Sequence, residues 1–442
     1  MIKTKTSKPY PPPPKRNGLF VYSHENEAVV FDPISLESVQ LDSHEYSDFM
    51  KNEKKGEMTR YLEGIGCSSR EIPTRDLALE AITRRLESLS LPTKPRRITG
   101  LRIVVTTKCN LNCSYCFVNT NSGAPDLSES ELQSGLQFLF QHNEGQDEVT
   151  IQWFGGEPTL RFDLIAKGDQ YIETLRQDYR VRRVRRTIVT NAVRFTEEML
   201  SHFAKFNYGV GVSIDGSEEM NHRERKLLSG NSYFSQLRAN INQLRQFPDI
   251  YLGANLTPTV RNVEHIPDIV EYLIDDLNIN FIYVNDPIPA KGHEKISGIK
   301  LADALSKARM RALSRGAVLH SLLDRVYQAL DTRTPRLLEE IDGSMTGALL
   351  PGGVVSLSDL FWTDRRLWQP VAGLNPKSVD LSKGTKTLLP VNDCLECPAI
   401  AICGGPPLSH AYFSGCETPD PEHCSLFRRA IESAIWDMTG LQ

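Results

Sequence analysis

The chain reads as an α/β protein whose centre is a partial (β/α)6 barrel, with a smaller unit on either side. Between Gly100 and roughly Arg315, short apolar runs alternate with amphipathic helical stretches, the pattern of a parallel sheet wound with helices. At 442 residues the chain exceeds what one ordinary core holds, so two or three domains are expected. Eight of its nine cysteines fall in two clusters, one inside the barrel segment and one near the C-terminus. Clustering of this kind in a large chain favours metal or cluster ligation over a disulfide scaffold.

Composition excludes several classes. A hydrophobic content of 40%, 24% charged residues and a net charge of −4 describe a soluble globular protein, not a nucleic-acid binder or a disordered tail. No apolar run approaches the ~20 residues needed to span a bilayer, and Met1-Ile2-Lys3-Thr4-Lys5 lacks the apolar segment of a signal peptide. A cytoplasmic protein with neither nucleic-acid nor membrane partners is expected.

The elements follow in order. Residues 1–17 are basic and proline-rich, which predicts an extended, mobile arm. A first domain, 18–95, opens with a hairpin (Leu19–Tyr22, Ala28–Phe31) and a third short strand at 37–41. Helices are expected over 43–50, 58–65 and 75–89, before Pro92 and Pro95 mark a boundary. In the barrel domain, 96–315, strands are expected near 102–107, 149–154, 186–190, 209–214, 251–257 and 280–284. Ser128-x-x-Glu131 is a capping box, and Thr196 can cap a later helix. The basic run Arg180–Arg186 lacks aromatic interleaving, so a solvated helix-to-strand junction is expected there. The last domain, 316–442, is predicted helical over Val318–Leu330 and then irregular.

Chemistry concentrates at strand ends. Cys109-x3-Cys113-x2-Cys116 follows the buried-strand run Ile103-Val104-Val105. Three thiolates on one loop select an iron–sulfur cluster, zinc or copper(I), and leave one iron of a four-iron cluster open. Zinc wants a fourth ligand nearby, and His142 is the nearest candidate downstream. Trp153-Phe154-Gly155-Gly156-Glu157-Pro158 ends the second strand; Gly155 and Gly156 suit close backbone approach, the plain alternative being a strand-end turn. Asn191, Ser213, Asp215, Asn255 and Thr257 fall at later strand ends, where wound sheets of this kind carry their chemistry.

Cys109-x3-Cys113-x2-Cys116, with Tyr115 before the third cysteine and Gly155-Gly156-Glu157-Pro158 following, resembles the signature of the radical S-adenosylmethionine (SAM) enzymes. The resemblance implies a TIM-like partial barrel and a [4Fe-4S] cluster on the three cysteines. It also implies SAM held near Tyr115, Gly155, Gly156, Glu157, Pro158, Asn191, Ser213 and Asp215, and its reductive cleavage to a 5′-deoxyadenosyl radical. His222 lies where relatives often have His-Asp, but Arg223 follows it, so a lone surface histidine is expected. Cys394-x2-Cys397-x5-Cys403 with Cys424 resembles the SPASM domain of such enzymes, which implies one auxiliary [4Fe-4S] cluster. Pro407 stands where a further cysteine is usual, and the strand pair expected around Pro351–Leu357 has none, so a second auxiliary cluster is expected to be lost. A zinc site using His423, or a redox pair, remains open for the C-terminal set. Cys67 and Cys416 are unassigned.

Small strands followed by helices in 18–95 resemble the winged-helix peptide-recognition element of enzymes that modify ribosomally made peptides. A structural cap on the barrel is the alternative. The combined expectation is a peptide maturase whose N-terminal domain grips a precursor's leader while the barrel oxidises its core, making a carbon–carbon side-chain crosslink. A flavodoxin or ferredoxin would supply electrons. A formylglycine-generating sulfatase-maturing enzyme, a peptide epimerase with Cys416 as hydrogen donor, a thioether-forming enzyme, and a cluster-binding redox sensor are the rivals.

Overall fold

The computed structural model describes residues 9–25, 27–51, 57–65, 67, 72–118, 120–288, 294–336, 342–358, 365–371, 374, 379–384, 389, 391–405 and 419–440. Pro407 and Cys416 lie outside these residues.

Four short antiparallel strands open the chain: β1 (Lys15–Arg16), β2 (Leu19–His24), β3 (Glu27–Phe31) and β4 (Ser38–Leu41), in that spatial order. Helices α1 (Ser43–Lys51), α2 (Glu57–Gly64) and α3 (Arg75–Ser88) follow. Strands β2 and β3 are buried on both faces, which explains their near-continuous apolar runs. One face, with Phe20, Tyr22, Val29 and Phe31, joins the main core. The other, with Leu19, Val21, Ala28, Val30 and Leu41, packs under Phe49 and Leu62.

The expected mobile arm is, over residues 9–17, anchored. Lys15 and Arg16 pair with Phe20 and Leu19, Tyr10 N donates to Ser425 Oγ at 2.8 Å, and Tyr10 Oη donates to Glu432 at 2.8 Å. Basic and proline-rich composition gave no sign of these long-range partners.

The second sheet has ten strands in the order β11-β10-β9-β8-β7-β6-β5-β12-β13-β14. Its six expected strands are β5 (Arg97–Thr106), β6 (Glu148–Gly155), β7 (Arg183–Thr190), β8 (Gly209–Ser213), β9 (Tyr251–Leu256) and β10 (Phe281–Val284). All pair in parallel with their neighbours. Between them run α4 (Glu129–His142), α5 (Phe162–Asp178), α6 (Glu197–Lys205), α7 (Glu218–Glu224), α8 (Phe234–Leu244) and α9 (Ile266–Asp275). Ser128 and Glu131 form the predicted capping box of α4, and Thr196 caps α6. Strands β11 and β12 occupy the two ends of the parallel array and do not pair with each other, so the barrel stays open.

Two expectations need correction. Residues 318–330 are not one helix: β11 (Val318–His320) precedes α11 (Leu322–Thr332), after the preceding helix α10 (Gly298–Ser314). The strand pair expected around Pro351–Leu357 is present as β12 (Ser344–Leu350) and antiparallel β13 (Val354–Ser356). The segment expected to be irregular is more regular still, because β12 also pairs parallel to β5 and β14 (Trp368–Pro370) adds antiparallel to β13. Ser-Met-Thr-Gly-Ala-Leu-Leu has little strand propensity of its own, so pairing with β5 decides its conformation. The last helix, α12 (Pro421–Thr439), packs on α10 and α11.

At the basic run, Arg180, Arg182, Arg183 and Arg185 are exposed and paired with Glu144, Asp147 and Glu148. Arg186 is instead buried against Asp169 at 2.9 Å.

Candidate active site

Strand β5 delivers the Cys109–Cys116 loop to the C-terminal end of the sheet, and the backbone fixes it from two sides. On one side, Gly156 N donates to Thr106 O and Glu157 N to Lys108 O, each at 2.8 Å. A Cβ on Gly156 would stand 2.2 Å from Lys108 O, and Gly155 has φ +148 with its Cβ position 2.3 Å from Thr106 O. The glycines are therefore required by contact between the second motif and the cysteine loop itself. On the other side, Asn112 N donates to Lys226 O and Ser114 N to Glu224 O, each at 2.9 Å.

The carboxylates beneath the loop tie strand ends together. Glu157 Oε1 accepts from Thr190 Oγ1 at 2.7 Å and from Thr159 Oγ1 at 2.7 Å, while Oε2 accepts from Asn191 N at 2.7 Å. Burial pushes its carboxyl above the usual range, against the pull of these donors. Asp215, with no exposed area, accepts from Tyr115 Oη at 2.6 Å, Arg225 Nε at 2.8 Å and Thr257 N at 3.0 Å. From this buried position Asp215 braces Tyr115. Asn191 Nδ2 donates to Asn110 Oδ1 at 2.7 Å, Pro158 begins a buried 3-10 turn, and Ser213 lines the cavity described below. His222 is half-buried on α7.

Cys109, Cys113 and Cys116 open onto one cavity of about 1540 Å³ that runs through the barrel. Burial pushes the Cys109 thiol up to about 12 and Cys113 to about 11, and raises Cys116. Such thiols ionise only when cation or metal stabilises the thiolate. Arg225 supplies one such charge, with Nη1 3.8 Å from Cys113 Sγ and its guanidinium over the Tyr115 ring at 5.4 Å.

The far wall of the same cavity includes Cys403, Gly405 and His423. Cys394 and Cys397 flank a turn leading to Cys403, and Cys424 projects from the first turn of α12. Burial raises the Cys424 thiol to about 12, and the charges of Cys397, Cys403 and Cys394 push it the same way. Arg428 Nε donates to Cys397 Sγ at 3.4 Å. His423 Nε2 lies 3.5 Å from Cys403 Sγ.

Among the described residues, no three Cys, His, Asp or Glu side chains converge tightly enough to hold a single metal ion. Thiolates that bind separate irons of a cluster stand farther apart than ligands sharing one zinc. The donor chemistry thus fits a three-thiol, open-iron cluster on the β5 loop and a four-thiol cluster at the C-terminus.

Sequence reasoning missed Asn110, Glu224, Arg225, Asp286 and Arg325. Glu224 is buried and bonded to Ser114 Oγ. The signal for Glu224 and Arg225 lies two and three positions past His222, in a Glu-Arg pair at the end of α7. Asp286, just after β10, lines the cavity; burial raises its carboxyl above the ordinary range, opposed by Arg325.

Residues 103–273 match the Radical SAM superfamily. A cysteine-type anaerobic sulfatase-maturating enzyme of Clostridium novyi is 28% identical over 47% of this chain and 55% of its own length. The radical SAM cyclopropyl synthase TigE of Paramaledivibacter caminithermalis is 28% identical over 29% of each chain. The chain thus spans about half the length, or less, of these curated relatives. Among solved structures, anSMEcpe with bound AdoMet and the Cp18Cys peptide superposes with a TM-score of 0.63 at 16% identity, covering 78% of this chain and 99% of that one. Streptococcus suis SuiB bound to precursor peptide SuiA covers 92% of this chain and 97% of its own, with a TM-score of 0.55 at 14% identity.

The chain contains a radical SAM domain, folded as the open parallel barrel of those structures. Such a domain works with SAM and a [4Fe-4S] cluster, for which Cys109, Cys113 and Cys116 have the required chemistry.

Proposed function

We propose that the protein is a radical SAM peptide maturase that oxidises side chains of a ribosomally made precursor and joins two of them by a carbon–carbon bond. The observation that carries this is the single cavity reaching from the Cys109–Cys116 loop to Cys403. At about 1540 Å³ it exceeds the roughly 300–1,000 Å³ typical of small-ligand sites. A cofactor of SAM's size leaves room in it for a peptide segment.

When bound, the cluster and SAM supply abstraction of a hydrogen atom from the peptide. Cys109, Cys113 and Cys116 would hold the cluster, with Asn191, Ser213 and the Gly155–Gly156 backbone around SAM and Tyr115 fixed by Asp215. Joining two carbons removes two hydrogens, so after the first hydrogen atom has gone one proton and one electron must leave the substrate, the electron to the auxiliary cluster that the C-terminal thiols would hold. Asp286, in the cavity wall with its carboxyl held basic by burial, is the residue placed to accept the proton. Cys394, Cys397, Cys403 and Cys424 would hold an auxiliary cluster facing the same space, with a flavodoxin or ferredoxin as external electron donor.

The N-terminal sheet would hold the leader. β4 pairs only with β3, so its other edge is open among the described strands for addition of an extended peptide. No described helix is long and apolar enough to cross a membrane.

Formylglycine formation is the second reading, favoured by the sequence likeness to the Clostridium novyi enzyme. Co-expression with a short precursor encoded beside the gene separates the two. Crosslinking gives a product lacking two hydrogens and inert to hydrazide, whereas formylglycine gives one that hydrazide captures. An unmodified precursor, with a sulfatase peptide oxidised instead, overturns the first reading.

A further inference from the structure

Tyr22 of β2 is only 4% exposed, and its hydroxyl finds no hydrogen-bond partner among the described residues. A buried phenol normally finds one, so an orphaned hydroxyl points to a missing acceptor. Tyr22 belongs to the core cluster against which Cys394, Cys397 and Cys403 pack, and Cys397, Glu432, Tyr10 and Arg428 all act electrostatically on its phenol, so the hydroxyl lies on the side of the four-thiol site.

The surrounding chain is fastened there by several independent contacts. Arg428 donates from Nε to Cys397 Sγ at 3.4 Å and from Nη1 to Tyr10 O at 2.7 Å. Lys15 Nζ donates to Leu395 O at 3.2 Å and pairs with Glu396 at 2.9 Å, both inside the Cys394–Cys397 turn. Residues 10–22 thus grip both segments that carry the C-terminal thiols.

We propose that the Tyr22 hydroxyl donates a hydrogen bond to sulfur at the Cys397 corner of the auxiliary cluster, making the N-terminal sheet part of that redox centre. This rests on the cluster reading given above. Tyr22 is a positioning residue: it would touch the cluster's sulfur and not the peptide. A donor to sulfur stabilises the more negative, reduced state, so the bond raises the reduction potential.

The test uses the full chain carrying Cys109→Ala, Cys113→Ala and Cys116→Ala, so that only the auxiliary cluster is read. Potentiometric titration followed by electron paramagnetic resonance should show a more negative potential in Tyr22→Phe. Fluorotyrosine at position 22, a stronger donor in the same ring, should shift the potential the other way. In deuterium oxide, an exchangeable deuteron coupled to the reduced cluster should be present with tyrosine and lost with phenylalanine. If Tyr22→Phe fails to load iron, the fluorotyrosine protein decides alone. Equal potentials across tyrosine, phenylalanine and fluorotyrosine, with iron loaded, overturn the role of Tyr22 and leave the cluster standing. Zinc in place of iron at the C-terminal thiols overturns the cluster and this inference with it.

Discussion

Neighbours hold the loop that carries Cys109, Cys113 and Cys116, and residue-level predictions separate the proposed cluster ligands from the residues that position them. Replacing any one of the three by Ala should abolish 5′-deoxyadenosine production while C-terminal iron stays bound, read by product chromatography and metal analysis. Asp215→Asn removes the anion facing buried Arg225. Breaking a buried pair this way costs about 3–5 kcal/mol, so a lower melting temperature and loss of barrel-site iron are expected. Ser213→Ala should keep both iron and melting temperature while weakening SAM binding. Glu157 gives a pH signature. Burial raises its folded pKa, so its contribution to stability is present at low pH and is lost as pH rises through the folded value. The stability difference between wild type and Glu157→Gln should therefore narrow with rising pH in parallel melting curves. Asp286→Asn should spare SAM cleavage and lose peptide product; unchanged product would remove Asp286 from the chemistry.

Elements of strong period were legible in the sequence, and those made by their partners were not. Ser128-x-x-Glu131 announced α4, and the apolar run at Ile103 announced β5, because each carries its own signal. β1 is two residues of a basic stretch and β12, Ser-Met-Thr-Gly-Ala-Leu-Leu, has one β-branched residue and no aromatic, so both exist through pairing with β2 and β5. The site divided in the same way. Cysteine spacing singled out the candidate thiols, whereas Arg225, Glu224 and Asn110 reach the loop through tertiary contacts that no spacing records. The second motif was read as a cofactor cradle, yet its glycines answer first to the backbone of the cysteine loop. Gly156→Ala should consequently displace that loop and lower barrel-site iron, with C-terminal iron unchanged. Gly230→Ala, where a Cβ meets nothing within 4 Å but φ is +86, should cost only modest backbone strain and leave the iron intact.

At the scale of the whole molecule, the N-terminal sheet, the barrel and the C-terminal thiols form one body, since Phe20, Tyr22, Val29 and Phe31 share the barrel's core. Deleting residues 1–70 should therefore expose that core and destabilise the protein, which makes truncation a poor test of leader recognition. A photo-crosslinker at exposed Gln40 on β4 is a better one. It should capture the leader half of the precursor, and capture of the core half instead would place recognition elsewhere. Loaded protein should contain about eight irons, four at each thiol set, by metal analysis. The central claim, that the barrel removes hydrogen from a peptide, is tested most directly by deuterium transfer. With precursor deuterated at its side chains, the account predicts deuterium in 5′-deoxyadenosine together with a peptide lacking two hydrogens, and neither from the Cys113→Ala protein. Unlabelled 5′-deoxyadenosine beside an unchanged peptide, under conditions where SAM is consumed, would contradict it.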